Sequence, residues 1–174
     1  MATYTGAAQV TDADVRYIKW VGKTKGGQPI QIELPEAFCR SNPDWTFAEK
    51  NETTPEVEFE GLYDDEKLAA DDRTEPWKLT TPDGMKAGNE EILLGVGKFY
   101  IGTSSADAQP VGLTRGGGSF VVEREIREIN ADDDPGAVKG RLSKDTGRPK
   151  LKLTALQWLT KIPTLYSCIK ETTA

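Results

Sequence analysis

The stretch that most constrains the fold runs from Val111 to Lys161. Gly116-Gly117-Gly118 leads into Ser119–Ile129, a run that alternates as a strand does, with Phe120, Val122 and Ile126 on one side beside Arg124 and Glu128. Val121, Glu123, Glu125, Arg127 and Ile129 lie on the other. Both faces are mixed toward the far end, so neither is simply core. Asn130–Arg148 follows, a long segment without periodicity that holds Asp132, Asp133, Asp134, Lys139, Arg141, Lys144 and Arg148. A loop of that length in a compact domain is either functional or disordered. Alternation then resumes at Lys150–Leu156, with Leu151, Leu153 and Ala155 inward and Lys150, Lys152 and Thr154 outward.

The rest of the chain has the same character. Val15–Thr24, a turn at Lys25–Gln28 and Pro29–Leu34 predict a hairpin. Pro35–Pro43 reads as a connection, and Trp45–Glu49 as the opening of a further strand interrupted at Asn51–Thr54. Glu56–Tyr63 is the cleanest alternation, with Glu56, Glu58 and Glu60 on one side and Val57, Phe59 and Gly61 on the other. The glutamates suit a solvated face or, in a closed ring, a channel lining. Asp64–Asp83 predicts an acidic loop with one helical turn near Glu66–Ala70, and Gly84–Asn89 a connector. Glu91–Gly102 predicts a strand pair or bent strand, because interior Gly95 and Gly97 mark a bend or a close backbone approach. Pro163–Lys170 predicts a short helix with Ile162, Leu165, Tyr166 and Ile169 as its apolar face. These elements define one mainly β domain, an antiparallel sandwich or barrel-like sheet with one short α-helix and a long inter-strand loop.

Composition narrows the chemistry. The chain of 174 residues has no histidine, which removes histidine acid–base catalysis and histidine metal ligation. Gly116-Gly117-Gly118 is not followed by Lys-Ser/Thr or by a helical pattern, so it is not a phosphate loop. The aspartate triplet lacks calcium-loop spacing and reads as a solvated loop. The glutamate pairs lack a neighbouring group to tune them. The expectation is a protein that is not an enzyme, with no cofactor and no metal. A net charge of −6 argues against a nucleic-acid-binding face. Cys39 and Cys168, far apart, are expected as buried thiols rather than a disulfide. No run suits a bilayer span and no signal-peptide pattern is visible.

The pattern Leu113-Thr-Arg-Gly-Gly-Gly-Ser-Phe-Val-Val-Glu-Arg-Glu-Ile-Arg-Glu-Ile, with Pro135-Gly-Ala-Val-Lys-Gly-Arg141 and Lys150-Leu-Lys-Leu-Thr-Ala-Leu156, resembles the major tail tube proteins of long-tailed bacteriophages and prophages. So does Trp45-Thr-Phe-Ala-Glu-Lys-Asn-Glu-Thr-Thr-Pro-Glu-Val-Glu-Phe-Glu-Gly-Leu-Tyr-Asp. The resemblance implies a virion protein, made in the bacterial cytoplasm, whose hexameric rings stack into a hollow tube. The implied partners are other copies of the chain, the tape measure protein, and DNA that passes without sequence-specific binding; no membrane is involved. It also implies that Asn130–Arg148 reaches the neighbouring ring, with Asp132, Asp133, Asp134, Lys139, Arg141, Lys144 and Arg148 as its contact residues. Glu123, Glu125, Arg127, Lys150 and Lys152 become candidates for the lumen. Which rows face it stays open.

The modules stand in reversed order. Residues 1–84 resemble the family's C-terminal part and residues 85–174 its N-terminal part, with Met85 where a natural start would fall. The expectation is a circular permutant. The alternative is a monomeric β-sandwich binding or adhesion module, for which an exposed aromatic cluster drawn from Trp20, Trp45, Trp77 and Trp158 would speak.

Overall fold

A computed structural model describes residues 2–7, 9–47, 49, 52–70, 73–83, 93–129, 138–166 and 169–172. The strands are β1 (Thr3–Gly6), β2 (Arg16–Thr24), β3 (Pro29–Cys39), β4 (Glu56–Gly61), β5 (Lys78–Thr80), β6 (Leu93–Gly102), β7 (Gln109–Pro110), β8 (Thr114–Glu128), β9 (Leu142–Ala155) and β10 (Ile169–Thr172). The helices are α1 (Asp65–Ala69) and α2 (Ile162–Leu165), each about one turn long. The architecture is mainly antiparallel β, as the alternation predicts.

The main sheet runs β7-β6-β2-β3-β4-β9-β8, and β5 pairs with β3 beside β4. Its inward residues are apolar. Ile18, Leu34, Val57, Phe59, Phe99, Leu151 and Leu153 are all buried. Each such side chain contributes roughly 1.5–3 kcal/mol by leaving water. The sheet curls around this core until β8 touches β6: a Cβ at Gly118 would come within 2.5 Å of the Phe99 ring. Ile162, Leu165 and Tyr166, at α2, pack against the same core.

The predicted hairpin is β2–β3, in the register Lys23↔Pro29. Trp20 explains the glycines of β2 and β6. Its indole lies over Gly22 and Gly97, where an added Cβ would fall 2.1 Å and 2.3 Å from ring atoms. The interior glycine is thus a site of close approach, and the β2–β6 register shifts beside it, between Gly22 and Lys23.

Several boundaries differ from the expectation. β3 continues through the predicted connection to Cys39, because Ala37–Cys39 pair with β4. Among the described residues of the predicted Trp45–Glu49 strand, none is in a strand. Side chains hold that segment instead: Trp45 stacks on Trp158 with ring centroids 4.7 Å apart and donates Nε1–H to the Tyr166 hydroxyl at 3.2 Å. The helix predicted to Lys170 stops at Leu165, and Ile169–Thr172 becomes β10, paired with β1 in a separate two-stranded sheet. Cys39 is a buried thiol; Cys168 and the Gly84–Asn89 connector lie outside the described residues.

Candidate assembly surface

Among the described residues β8 is the terminal strand of the sheet, with β9 on one side and no ladder strand on the other. β4 covers β9 from Lys150 to Thr154, so from Pro149 outward β9 has β8 as its sheet neighbour. The two strands therefore leave the sheet as a ribbon, closed near its end by the Ile129 N–H bonded to the Arg141 carbonyl at 2.9 Å. Val121, Ile126, Ile129 and Leu142 lie exposed along it. An exposed edge of this length bearing apolar side chains is a template for pairing with another chain.

Three of the candidate lumen residues come together on the outer face of the sheet. Lys150 Nζ donates to Glu123 at 2.9 Å and lies 3.9 Å from Glu58, while Lys152 Nζ lies 2.9 Å from Glu56 and 3.8 Å from Glu58. The contacts with Glu123 and Glu56, respectively, raise both lysines above their ordinary range. Glu125 and Arg127 are exposed farther along the ribbon. The expected acidic row is therefore a mixed lattice. Glu60 departs from it altogether, being buried and held by Arg40 at 3.1 Å and 3.3 Å.

Of the predicted contact loop, Asp132, Asp133 and Asp134 lie outside the described residues. Lys139 sits exposed at a turn before Gly140, whose φ of 88° favours glycine. Arg141 is at the root of the ribbon turn. Lys144 and Arg148 are not in a loop: β9 begins at Leu142, so both are strand residues. The stretch hides its strand because its buried positions are Gly147 and Pro149, which give no apolar period.

The sequence pointed to nothing at Glu75, between α1 and β5. Its carboxylate receives both Nε–H and Nη2–H of Arg124 at 2.9 Å and 3.0 Å, Lys144 Nζ at 2.7 Å and Trp77 Nε1–H at 2.5 Å. Arg124 above all, then Lys144 and Trp77, hold its pKa down to about 2 although burial opposes this. Trp77 is half-buried and packs on Phe120 at 5.5 Å.

Trp20 and Trp158 are core residues and Trp45 packs against the core, so the tryptophans form no exposed cluster. Phe47, beside Trp45, is 79% exposed at the mouth of a cleft also lined by Trp158 and Leu159. Among the described residues no three acidic or cysteine side chains gather as metal ligands, and no helix is long and apolar enough to cross a membrane.

Fold and surface define a class first: a curled antiparallel β domain with an open, partly apolar edge strand. No family model, curated protein or solved structure matches the chain.

Proposed function

We propose that this chain is a structural subunit that joins copies of itself edge to edge into hexameric rings, which stack as the hollow tail tube of a bacteriophage virion. The observation that carries the reading is the outer edge of β8, which among the described residues has no ladder partner strand and bears exposed Val121 and Ile126. Ring closure gives each such strand a neighbour and removes the edge. The lattice of Glu56, Glu58, Glu123, Lys150 and Lys152 suits a polar wall that neither grips nor strongly repels a passing polyanion. In this reading the tape measure protein and DNA are lumen partners held without sequence-specific contacts.

The permuted order is part of the proposal. β1 and β10 are antiparallel neighbours with Thr3 opposite Thr172, so residues 173, 174, 1 and 2 would suffice to close them into a hairpin. Four-residue hairpin connections are common.

Phe47 keeps a second reading in view, a monomeric binding module that captures a ligand at the cleft beside Trp45. Electron microscopy of the concentrated protein together with its solution mass decides between them. The expected result is rings or hollow tubes. The chain rearranged to begin at Met85, with Ala174 joined to Met1, is measured alongside. Monomers in both orders at the highest concentration overturn the assembly reading and leave the binding module.

A further inference from the structure

We propose that Glu75 is a positioning residue that fixes the angle of the β8–β9 ribbon against the sheet, by clamping both ribbon strands to the segment joining α1 to β5. This inference rests on geometry within one chain and stands whether or not the chain forms tubes.

A two-stranded ribbon with both faces in water is marginally stable and twists more than a wide sheet. This ribbon is held from the side. Arg124 comes from β8 and Lys144 from β9, and both end on the carboxylate of Glu75, whose side chain is 13% exposed. Charge-assisted bonds, one of them a bidentate fork, set direction as well as strength. Trp77 donates to the same carboxylate and lays its ring on Phe120, so the clamp has a polar and an apolar jaw.

The ladder is built around this contact. Glu125 pairs with Thr146, but Ile126 pairs with Lys144, so a bulge skips one position of β9. Residues directly opposite in a ladder share a face, and Ile126 shares its face with Arg124 by alternation. The bulge thus brings Lys144 onto the face of Arg124. A regular ladder would put position 145, not Lys144, opposite Ile126. Gly147, opposite Arg124, completes the site: an added Cβ would lie 2.9 Å from Glu75 Oε1 and 3.1 Å from the Tyr63 hydroxyl.

The test attaches spin labels to the full chain at Lys25→Cys, in the β2–β3 turn, and Lys139→Cys, near the ribbon end, in a background carrying Cys39→Ala and Cys168→Ala, and measures the distance distribution with and without Glu75→Gln. One narrow distribution is expected in the parent and a broad one in E75Q. Hydrogen exchange is read on the same proteins. Losing charged hydrogen bonds of the usual strength should speed exchange in Val122–Ile126 and Ser143–Gly147 by at least about tenfold, with β2 unchanged. Arg124→Gln repeats the measurement should E75Q not fold. Equal distribution widths, or exchange that rises alike in the ribbon and in β2, overturn the proposal.

Discussion

At the scale of single residues, Glu75 makes a pH prediction with a definite sign. Its pKa is pulled from the ordinary 4.5 to about 2, first by Arg124 and then by Lys144 and Trp77. Its stabilising share is therefore complete above about pH 4.5 and is lost as the pH falls through about 2. Asp107, held low chiefly by the Thr103 hydroxyl together with Ser104, titrates in acid as well. The difference between parent and Glu75→Gln isolates the one group. Denaturant midpoints of the two proteins should converge as the pH drops from 4.5 toward 2; curves that stay parallel would show that Glu75 carries no linked proton. Residue-level signals were unevenly visible in the sequence. Gly97 announces a close approach because glycine within a strand needs a reason, and Trp20 supplies it. Glu75 announces nothing, since its partners Arg124 and Lys144 are remote in the chain and a glutamate in an acidic loop is ordinary.

At the scale of elements, β8 decides how this molecule meets another. This long edge exposes Val121 and Ile126 among its charged residues and has no proline. Val121→Lys with Ile126→Lys should therefore weaken self-association at least about tenfold, while unfolding shifts by less than about 1 kcal/mol because both sites are exposed. Sedimentation velocity and urea titration measure the two quantities; unchanged association would remove β8 from the contact. Elements with one buried face were legible. β2, β4 and the inner part of β9 alternate because Ile18, Val57, Phe59, Leu151 and Leu153 pack into one core. Elements without such a face were not. The outer part of β9 turns Gly147 and Pro149 inward in place of large apolar residues, β5 is exposed along Lys78–Thr80, and β10 pairs with β1 in a sheet of their own. Trp45 misled for the opposite reason: aromatic and β-branched residues near it suggested a strand, yet stacking on Trp158 holds them in a loop.

At the scale of the molecule, the core is continuous from β6 to β8 and wrapped by a single sheet, while β1 and β10 form their own small one. Thr5 and Thr172 share a hydroxyl contact at 3.1 Å within the small sheet, and Lys170, paired with buried Asp14, ties it to the body. The order of strands in space could not be read from the chain, because β3 joins β2 to β4 and β5 through pairings that no local pattern encodes. The β1–β10 pairing also makes the molecule its own optical ruler. In a Cys39→Ala, Cys168→Ala background, dyes at Thr3→Cys and Thr172→Cys stand opposite each other in the ladder, with Cα atoms about 5 Å apart. In the denatured coil the radius of gyration alone is roughly 44 Å for a chain of this length. Energy transfer between the dyes should be near complete when folded and collapse on unfolding, reporting folding, moment by moment, in one molecule at a time.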